Sequence, residues 1–407
     1  MNGSMISSIP MFVCAFWSVL LLLDVAKNRQ PAKRLLLVCM VAATLLYIGH
    51  YIYFNRQMAL MPYSDTVYCT MNLAVFPLYY LYITQLTQPC QERCRRWLWL
   101  LPSVTIGLGV GVLYAIMTPD ETQHFIISYL YHNDTSALTG LSRWQWGLHL
   151  LAKTVFALQI LPILILGFRK IRKYNEAVED YYADTDDKSL HKMKYVHVAF
   201  VLTSLLSLLA NALGRTHFAS SAWPLAIPSI LFSALLFMLA YVGYIQQFSM
   251  ADMLRDDVNR ANSGTQPEAH ADAQPEEDVI EQLHRQLLED VDDNELFLRS
   301  DLKISHLADY YHTNREYLYQ ALNVRMGVTF SEFINRHRIN HAISLMKQSP
   351  ELPANDVAQQ SGYSSLASFY RNFKLFCGMG PKEYQNKLKG NAQILPYQEN
   401  SVTLPLL

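Results

Sequence analysis

Apolar and polar positions divide this chain into two unlike halves. Residues 1–245 are mostly long apolar runs. Residues 246–407 are polar, with apolar positions returning at the three-to-four-residue spacing of amphipathic helices. A helix needs about 20 mainly apolar residues to cross a bilayer. Seven runs reach that length: about 5–23, 34–54, 66–86, 97–117, 146–168, 195–214 and 222–245. The first has no basic flank before it, and Asp24 follows it where a cleaved leader would carry small residues, so it reads as a span. The expected fold class is all-α: a seven-helix transmembrane bundle followed by an all-helical soluble domain.

Charge totals say little, because 33 Lys and Arg balance 34 Asp and Glu. Their distribution says more. The first, third and fifth loops carry Lys27, Arg29, Lys33, Arg34, then Arg93, Arg95, Arg96, then Arg169, Lys170, Arg172, Lys173, Lys188, Lys192 and Lys194. The alternate loops carry only Arg56, Arg143 and Arg215. Cytoplasmic loops collect Lys and Arg, so the N-terminus is expected outside and the C-terminus in the cytoplasm. Trp97, Trp99, Trp144, Trp146 and Trp223 sit near span ends, where interfacial aromatics belong.

Polar groups inside the spans are costly and mark candidate function. Lys153, with His149 one helical turn before it, falls in the outer half of its span, as do His50, Asn72 and Asn211. Together they form a candidate outward-facing ligand pocket. The alternative is that Lys153 snorkels to the interface and the amides only hold helices together. Gly107, Gly109 and Gly111 follow no strand and read as a close helix–helix contact rather than a nucleotide loop. The six cysteines are scattered, and Cys90 and Cys94 have no third ligand nearby. No HExxH, GxSxG or P-loop motif occurs, so the expectation is no enzyme, no catalytic residues, no metal and no cofactor. No run of intramembrane carboxylates suggests an ion pump either.

Residues 246–278 read as a flexible acidic linker, with Gly264, Pro267 and Pro275 as breakers. Ile280, Leu283, Leu287, Leu288 and Val291 then recur as a helix, either the first of the soluble domain or a pairing helix for a second copy. Beyond it the sequence repeats. At a shift of 51, Leu318 meets Phe369, Leu322 meets Phe373, Gly327 meets Gly378 and Glu332 meets Glu383. At a shift of 50, Leu307-Ala308 meets Val357-Ala358. Each unit reads helix, tight turn, helix. Thr313 with Glu316 has the spacing of a capping box, and Ser364 is the expected cap of the second unit. Pro381 is expected to open the last helix and Tyr384 to lie in the core.

A helix-turn-helix can set its second helix into a major groove. The polar faces of the two second helices, 314–326 and 365–376, carry the candidate DNA-binding residues. These are Asn314, Arg315, Glu316, Tyr319, Gln320 and Asn323, and then Ser365, Ala367, Ser368, Tyr370, Arg371 and Lys374. Arg336 and Arg338, on the joining helix, could touch phosphate or form surface ion pairs. From Asp301 to Lys389, 11 basic residues exceed 7 acidic ones.

Leu307-Ala308, Leu318, Gly327-Val328-Thr329-Phe330, Arg338, Ala342, Val357-Ala358, Gly362-Tyr363, Phe369, Arg371, Phe373-Lys374, Gly378, Pro381 and Tyr384 resemble the AraC/XylS family of bacterial transcription regulators. The resemblance covers about 285–387. Gly380, Gln385 and Leu322-Asn323 depart from the family's usual Thr or Ser, Arg, and Phe-Lys. The seven spans resemble the membrane region of a subset of the family. The resemblance implies two recognition helices joined by a long helix and set in successive major grooves of double-stranded DNA. It also implies RNA polymerase and a second copy of the chain as partners. The expected organisation is a membrane domain over 1–245, a linker over 246–278, a DNA-binding domain over 279–390 and a tail over 391–407. The expected protein is a DNA-binding transcription regulator in the bacterial cytoplasmic membrane, sensing an unknown small-molecule or protein signal. The competing readings are a transporter or membrane enzyme with an attached regulatory domain, and a soluble domain that binds protein rather than DNA.

Overall fold

A computed structural model describes residues 8–28, 30–88, 97–213, 223–262, 277–293 and 295–389. Among them the chain is all-α, with one isolated antiparallel bridge between Tyr182 and Lys303. It divides into two compact units, Met1–Lys173 with Leu190–Leu254, and Tyr174–Ser189 with Arg255–Leu407.

The first unit contains α1 (Ile9–Lys27), α2 (Pro31–Phe54), α3 (Met61–Thr87), α4 (Leu101–Ile116), the short α5 (Pro119–Phe125), most of α6 (Gly140–Tyr181), α7 (His191–Leu213) and α8 (Trp223–Ile245). Among the described residues, six helices are long and apolar enough to cross a bilayer. The remaining expected run, 195–214, coincides with α7. α3 is the central helix. It packs on α2 and α4, and its residues from Leu73 to Ile83 are buried. Phe12, Leu108, Leu158 and Ile227 stay exposed on the outer faces of these apolar helices.

The glycine run in α4 has the expected packing role. A Cβ at Gly107 would fall 2.0 Å from Thr70 Oγ1, and one at Gly111 would fall 3.1 Å from Thr66 Cγ2. Glycines four residues apart on α4 thus receive threonines four residues apart on α3. Both threonine hydroxyls donate to their own helix, to the carbonyls of Pro62 and Thr66 at 2.8 Å, and leave no unsatisfied polar group at the contact.

Two helices run past their expected ends. α3 begins at Met61, five residues before the apolar run, and so takes Asp65 into the helix. α6 has 42 residues and continues beyond the apolar run at 168 to Tyr181. At about 1.5 Å per residue, it is roughly 60 Å long.

The second unit contains α10 (Glu277–Asp293), α11 (Ile304–Tyr310), α12 (Arg315–Tyr319), α13 (Phe330–Gln348), α14 (Ala354–Gln360), α15 (Leu366–Cys377) and α16 (Pro381–Lys389). The stretch expected to be flexible linker begins as helix α9 (Met250–Asn262), which is strongly amphipathic; residues 263–276 lie outside the described ones. α10 belongs to the second unit, burying Ile280, Leu283 and Leu287 against α12, while Leu288 stays exposed.

The repeat is real at the level of backbone. His312 (φ 50°) and Gly362 (φ 79°) hold the left-handed turn between the two helices of each unit. Gly327 (φ 68°) and Gly378 (φ 71°) follow each second helix in the same conformation. Leu307, Ala308, Val357 and Ala358 are all buried where the helices cross. The second unit closes on Phe369, Phe373 and Tyr384, whose rings stack edge-to-face in series at 5.5 Å. Each such aromatic contributes about 1.5–3 kcal/mol by leaving water. Pro381 opens α16, and Tyr384 is in the core, both as expected.

Arg338 takes neither of its two expected roles. It is fully buried on α13. Its Nε donates to the Phe297 carbonyl and its guanidinium Nη2 to the Arg299 carbonyl, both at 2.7 Å. The guanidinium also lies 5.4 Å from the Tyr363 ring centre. A buried charge persists only when hydrogen-bonded; here two carbonyls and an aromatic face meet most of that need, while Nη1 has no hydrogen-bond partner. Arg336 takes the ion-pair alternative, 3.7 Å from Glu332 on its own helix.

Candidate functional site

The two second helices start one residue later than their expected caps. Asn314 Oδ1 accepts from the Tyr317 N–H at 3.0 Å, and Ser365 Oγ accepts from the Ser368 N–H at 3.1 Å. These replace Thr313 and Ser364, and the two caps lie 51 residues apart, in register with the repeat. Asn caps somewhat better than Thr, but Ser364 and Ser365 are the same residue type, so intrinsic capping strength does not choose between neighbours in both units. Glu316 is not a capping partner; its carboxylate accepts from Gln320 Nε2 at 2.9 Å on the exposed face. The first recognition helix is α-helical only over Arg315–Tyr319 and continues as a π-helical stretch over Gln320–Arg325. The second, α15, is α-helical throughout.

Of the candidate DNA-binding residues, Glu316, Tyr319, Ala367, Arg371 and Lys374 are exposed. Arg315, Gln320, Asn323 and Tyr370 are half-buried. Asn314 and Ser365 spend their side chains on capping. Ser368 is buried at 1 % exposure and so cannot reach a base as it stands. The two helices thus present a mixed face of Arg, Lys, Gln and Tyr, the types that contact phosphate and base edges.

One neighbour of this face escaped the sequence reading. Residues 174–189, the last turns of α6 and the connection that follows it, pack within the second unit. Tyr181, Tyr182 and Ala183 are buried. Asn323 Nδ2 donates to Asp180 at 2.8 Å, and the Arg315 guanidinium lies 5.4 Å from the Tyr181 ring centre. Ser331 Oγ and Asn335 Nδ2, on α13, both donate to the Ala183 carbonyl at 3.0 Å. Ser364 donates to Asp184, which also lies 3.4 Å from Ser368 Oγ, and Arg371 pairs with Asp186. Tyr182 OH and Lys303 Nζ meet on Asp256, at 2.6 and 2.7 Å. Burial, aided by Glu179 and Glu176 and opposed by the Asn323 amide, raises the Asp180 carboxyl above its usual range. The signal was present: four Asp lie between 180 and 187, but only the Lys and Arg of this loop bear on membrane orientation.

In the first unit, His149 does sit at a polar centre. Its Nε2 is 2.7 Å from Asp65 Oδ2, and its Nδ1 is 2.8 Å from the Gln145 carbonyl. Tyr114 OH donates to the same Asp65 oxygen at 2.8 Å. Asp65, Cys69 and His149 are all buried, and each offers a ligand atom within 4.8 Å of the others. This donor set suits a borderline divalent cation. Asp65 was the missed residue, because it lies just outside the apolar run and reads from sequence as a loop acid. Lys153 is exposed, and its ammonium reaches Tyr129 OH at 3.4 Å, so it borders the cluster rather than anchoring it. His50 lies instead among the rings of Tyr47, Phe54 and Tyr68. Asn72 is half-buried on α3, and the Asn211 side chain lies outside the described residues. Beside the cluster is a cavity of about 780 Å³, lined by Tyr114 together with Met58, Tyr63, Thr66, Gly111 and Gln123. Its size is within the range of small-molecule sites. Cys90 and Cys94 lie outside the described residues.

Comparison with known proteins bears on the second unit. Residues 307–387 match the family model described as a helix-turn-helix domain. An uncharacterized HTH-type transcriptional regulator of Staphylococcus aureus (strain MSSA476) is 37% identical over 91 residues, which is 22% of this chain and 12% of that protein. The TCP pilus virulence regulatory protein of Vibrio cholerae is 42% identical over 81 residues, 20% of this chain and 29% of that protein. The chain thus spans about an eighth of the Staphylococcus relative's length, and the likeness is confined to one domain. No solved structure matches. The chain carries a helix-turn-helix domain of the kind found in transcriptional regulators.

Proposed function

We propose that this protein is a membrane-anchored transcription regulator that binds double-stranded DNA through residues 307–387 and senses a signal through its first unit. One observation carries the DNA half. Two helix-turn-helix units with matching caps and left-handed turns are joined by the single 19-residue helix α13, and each carries a polar second helix. The relatives named as transcriptional regulators support the same reading. The reading includes no catalytic role.

The anchor rests on six long apolar helices and on the bias of Lys and Arg among the loops. That bias sets the DNA-binding unit on the cytoplasmic side of a bacterial inner membrane, where DNA is accessible. Asp65, Tyr114 and His149 then fall in the outer part of the bundle, beside the cavity, and form the candidate signal site. Lys153 borders it. RNA polymerase and a second copy of the chain are proposed partners of the DNA-bound form.

Genome-wide mapping of DNA sites bound by the intact protein tests the first half. Binding should be site-specific and should weaken as salt rises, because phosphate contacts release counterions. No salt-dependent binding would leave a protein-interaction module as the better reading. Removal of residues 1–245 tests the second half: if the level and inducibility of the mapped genes stay unchanged, the sensing role falls. Substrate flux in vesicles holding the purified protein would favour a transporter instead.

A further inference from the structure

Several contacts of residues 180–186 fall on side chains that the DNA reading needs. On the first recognition helix they engage Arg315 and Asn323; on the second they engage Arg371 and the buried Ser368, with Ser364 in the turn just before it. Between these, the segment is held on α13 by two hydrogen bonds to the Ala183 carbonyl. Asp180 and Asp186 meet donors that would otherwise face phosphate oxygens or base edges, and Asp184 sits at the entry to the second helix. Asp186 takes one edge of the Arg371 guanidinium and offsets its charge, so a DNA phosphate meets fewer donors and a weaker attraction there.

We propose that the recognition face has a second ligand, an acidic peptide of its own chain, and that residues 180–186 compete with DNA for it. This rests on the reading of 307–387 as a DNA-binding domain. The competitor need not bind tightly. It is tied into the chain at the end of α6, so its effective concentration is of millimolar order, as for short linkers. It also suits release. α6 carries His149 and Lys153 along its length and ends at Asp180 and Tyr181, so the helix that lines the candidate signal site also supplies the blocking segment.

The test uses the full chain in lipid nanodiscs, with sheared genomic DNA as the probe. Asp186→Asn removes the partner of Arg371. Asp187→Asn removes the same charge one residue away, on an exposed side chain. The proposal expects D186N to bind DNA severalfold more tightly than the parent, and D184N with D186N to gain about tenfold, equivalent to 1.4 kcal/mol. D187N should match the parent. Equal gains from D186N and D187N would show a plain loss of charge repulsion and overturn the proposal, as would no gain from either. A second arm joins the segment to the turn just before α15 through Asp184→Cys with Ser364→Cys. The oxidised protein should lose DNA binding and recover it on reduction; binding unchanged by the crosslink overturns the proposal. If no form binds DNA at any salt concentration, the DNA reading itself fails and takes the competitor with it.

Discussion

Gly362 gives the sharpest test of the second unit, because three glycines there share one backbone conformation and differ in surroundings. Gly327, Gly362 and Gly378 have φ of 68°, 79° and 71°. Placing alanine in a left-handed conformation costs about 1–2 kcal/mol. At Gly327 and Gly378 nothing lies within 4 Å of the added Cβ, so that strain is the whole expected effect. At Gly362 the Cβ would lie 2.7 Å from Leu298 Cα and O, and 2.8 Å from its carbonyl carbon. Carbon atoms rest at about 3.5–4.0 Å, so the clash is near 1 Å. The Leu298 backbone cannot simply step aside, since Arg338 holds the carbonyls of its two neighbours, Phe297 and Arg299. Overpacking of this kind costs a further 1–3 kcal/mol or so. Gly362→Ala should therefore lose about 2–5 kcal/mol and Gly378→Ala about 1–2 kcal/mol. Pulse proteolysis of the full-length protein in detergent across a urea series, reading cleavage within 295–389, measures both. If G362A unfolds at the same urea concentration as G378A, the close approach to Leu298 is not a constraint and the argument is wrong.

Arg338→Met should leave the Phe297 and Arg299 carbonyls without their donor and cost about 2–5 kcal/mol. Where the variant is still folded, the salt slope of DNA binding should match the parent's, since this Arg touches no phosphate; a shallower slope would return it to the interface. Asn314→Ala should weaken the first recognition helix by about 1 kcal/mol and Thr313→Ala by much less, read as amide exchange over residues 315–319. Burial, with Arg299 and Lys303 adding to it, holds the His306 imidazole below its usual range, and its Nδ1 accepts from the Lys303 N–H. Its neutral form is therefore favoured on folding. That stability is fully present above the ordinary imidazole range and falls as pH drops through the depressed value, so His306→Gln should flatten the acid side of a thermal-unfolding profile. Asp65→Asn and His149→Gln should abolish the response of the regulated genes to their signal while DNA binding by the intact protein stays as before; retained inducibility would remove this cluster from the signal site.

Much of the fold was legible because helices and repeats are local patterns. The apolar runs, the 51-residue register and the glycines at 327, 362 and 378 all lie in short windows, and each reappears in the structure. Helix ends were less legible. α6 runs past its apolar run through residues such as Tyr174 and Val178, buried by packing that no hydropathy window detects. The caps at Asn314 and Ser365 sit beside equally plausible neighbours, and only the turn geometry at His312 and Gly362 chose between them.

By itself, the sequence determined that there are apolar helices and a repeated helix-turn-helix, since periodicity and capping chemistry depend on neighbours a few residues apart. Tertiary structure alone decided what the polar side chains do. Arg338 lies in the core because two carbonyls some 40 residues earlier in the chain accept its protons. Asp65 joins His149 across 84 residues, and Asp184 meets Ser364 across 180. Charged and hydrogen-bonding groups act through distance in space, and separations of that size leave no periodic trace along the chain.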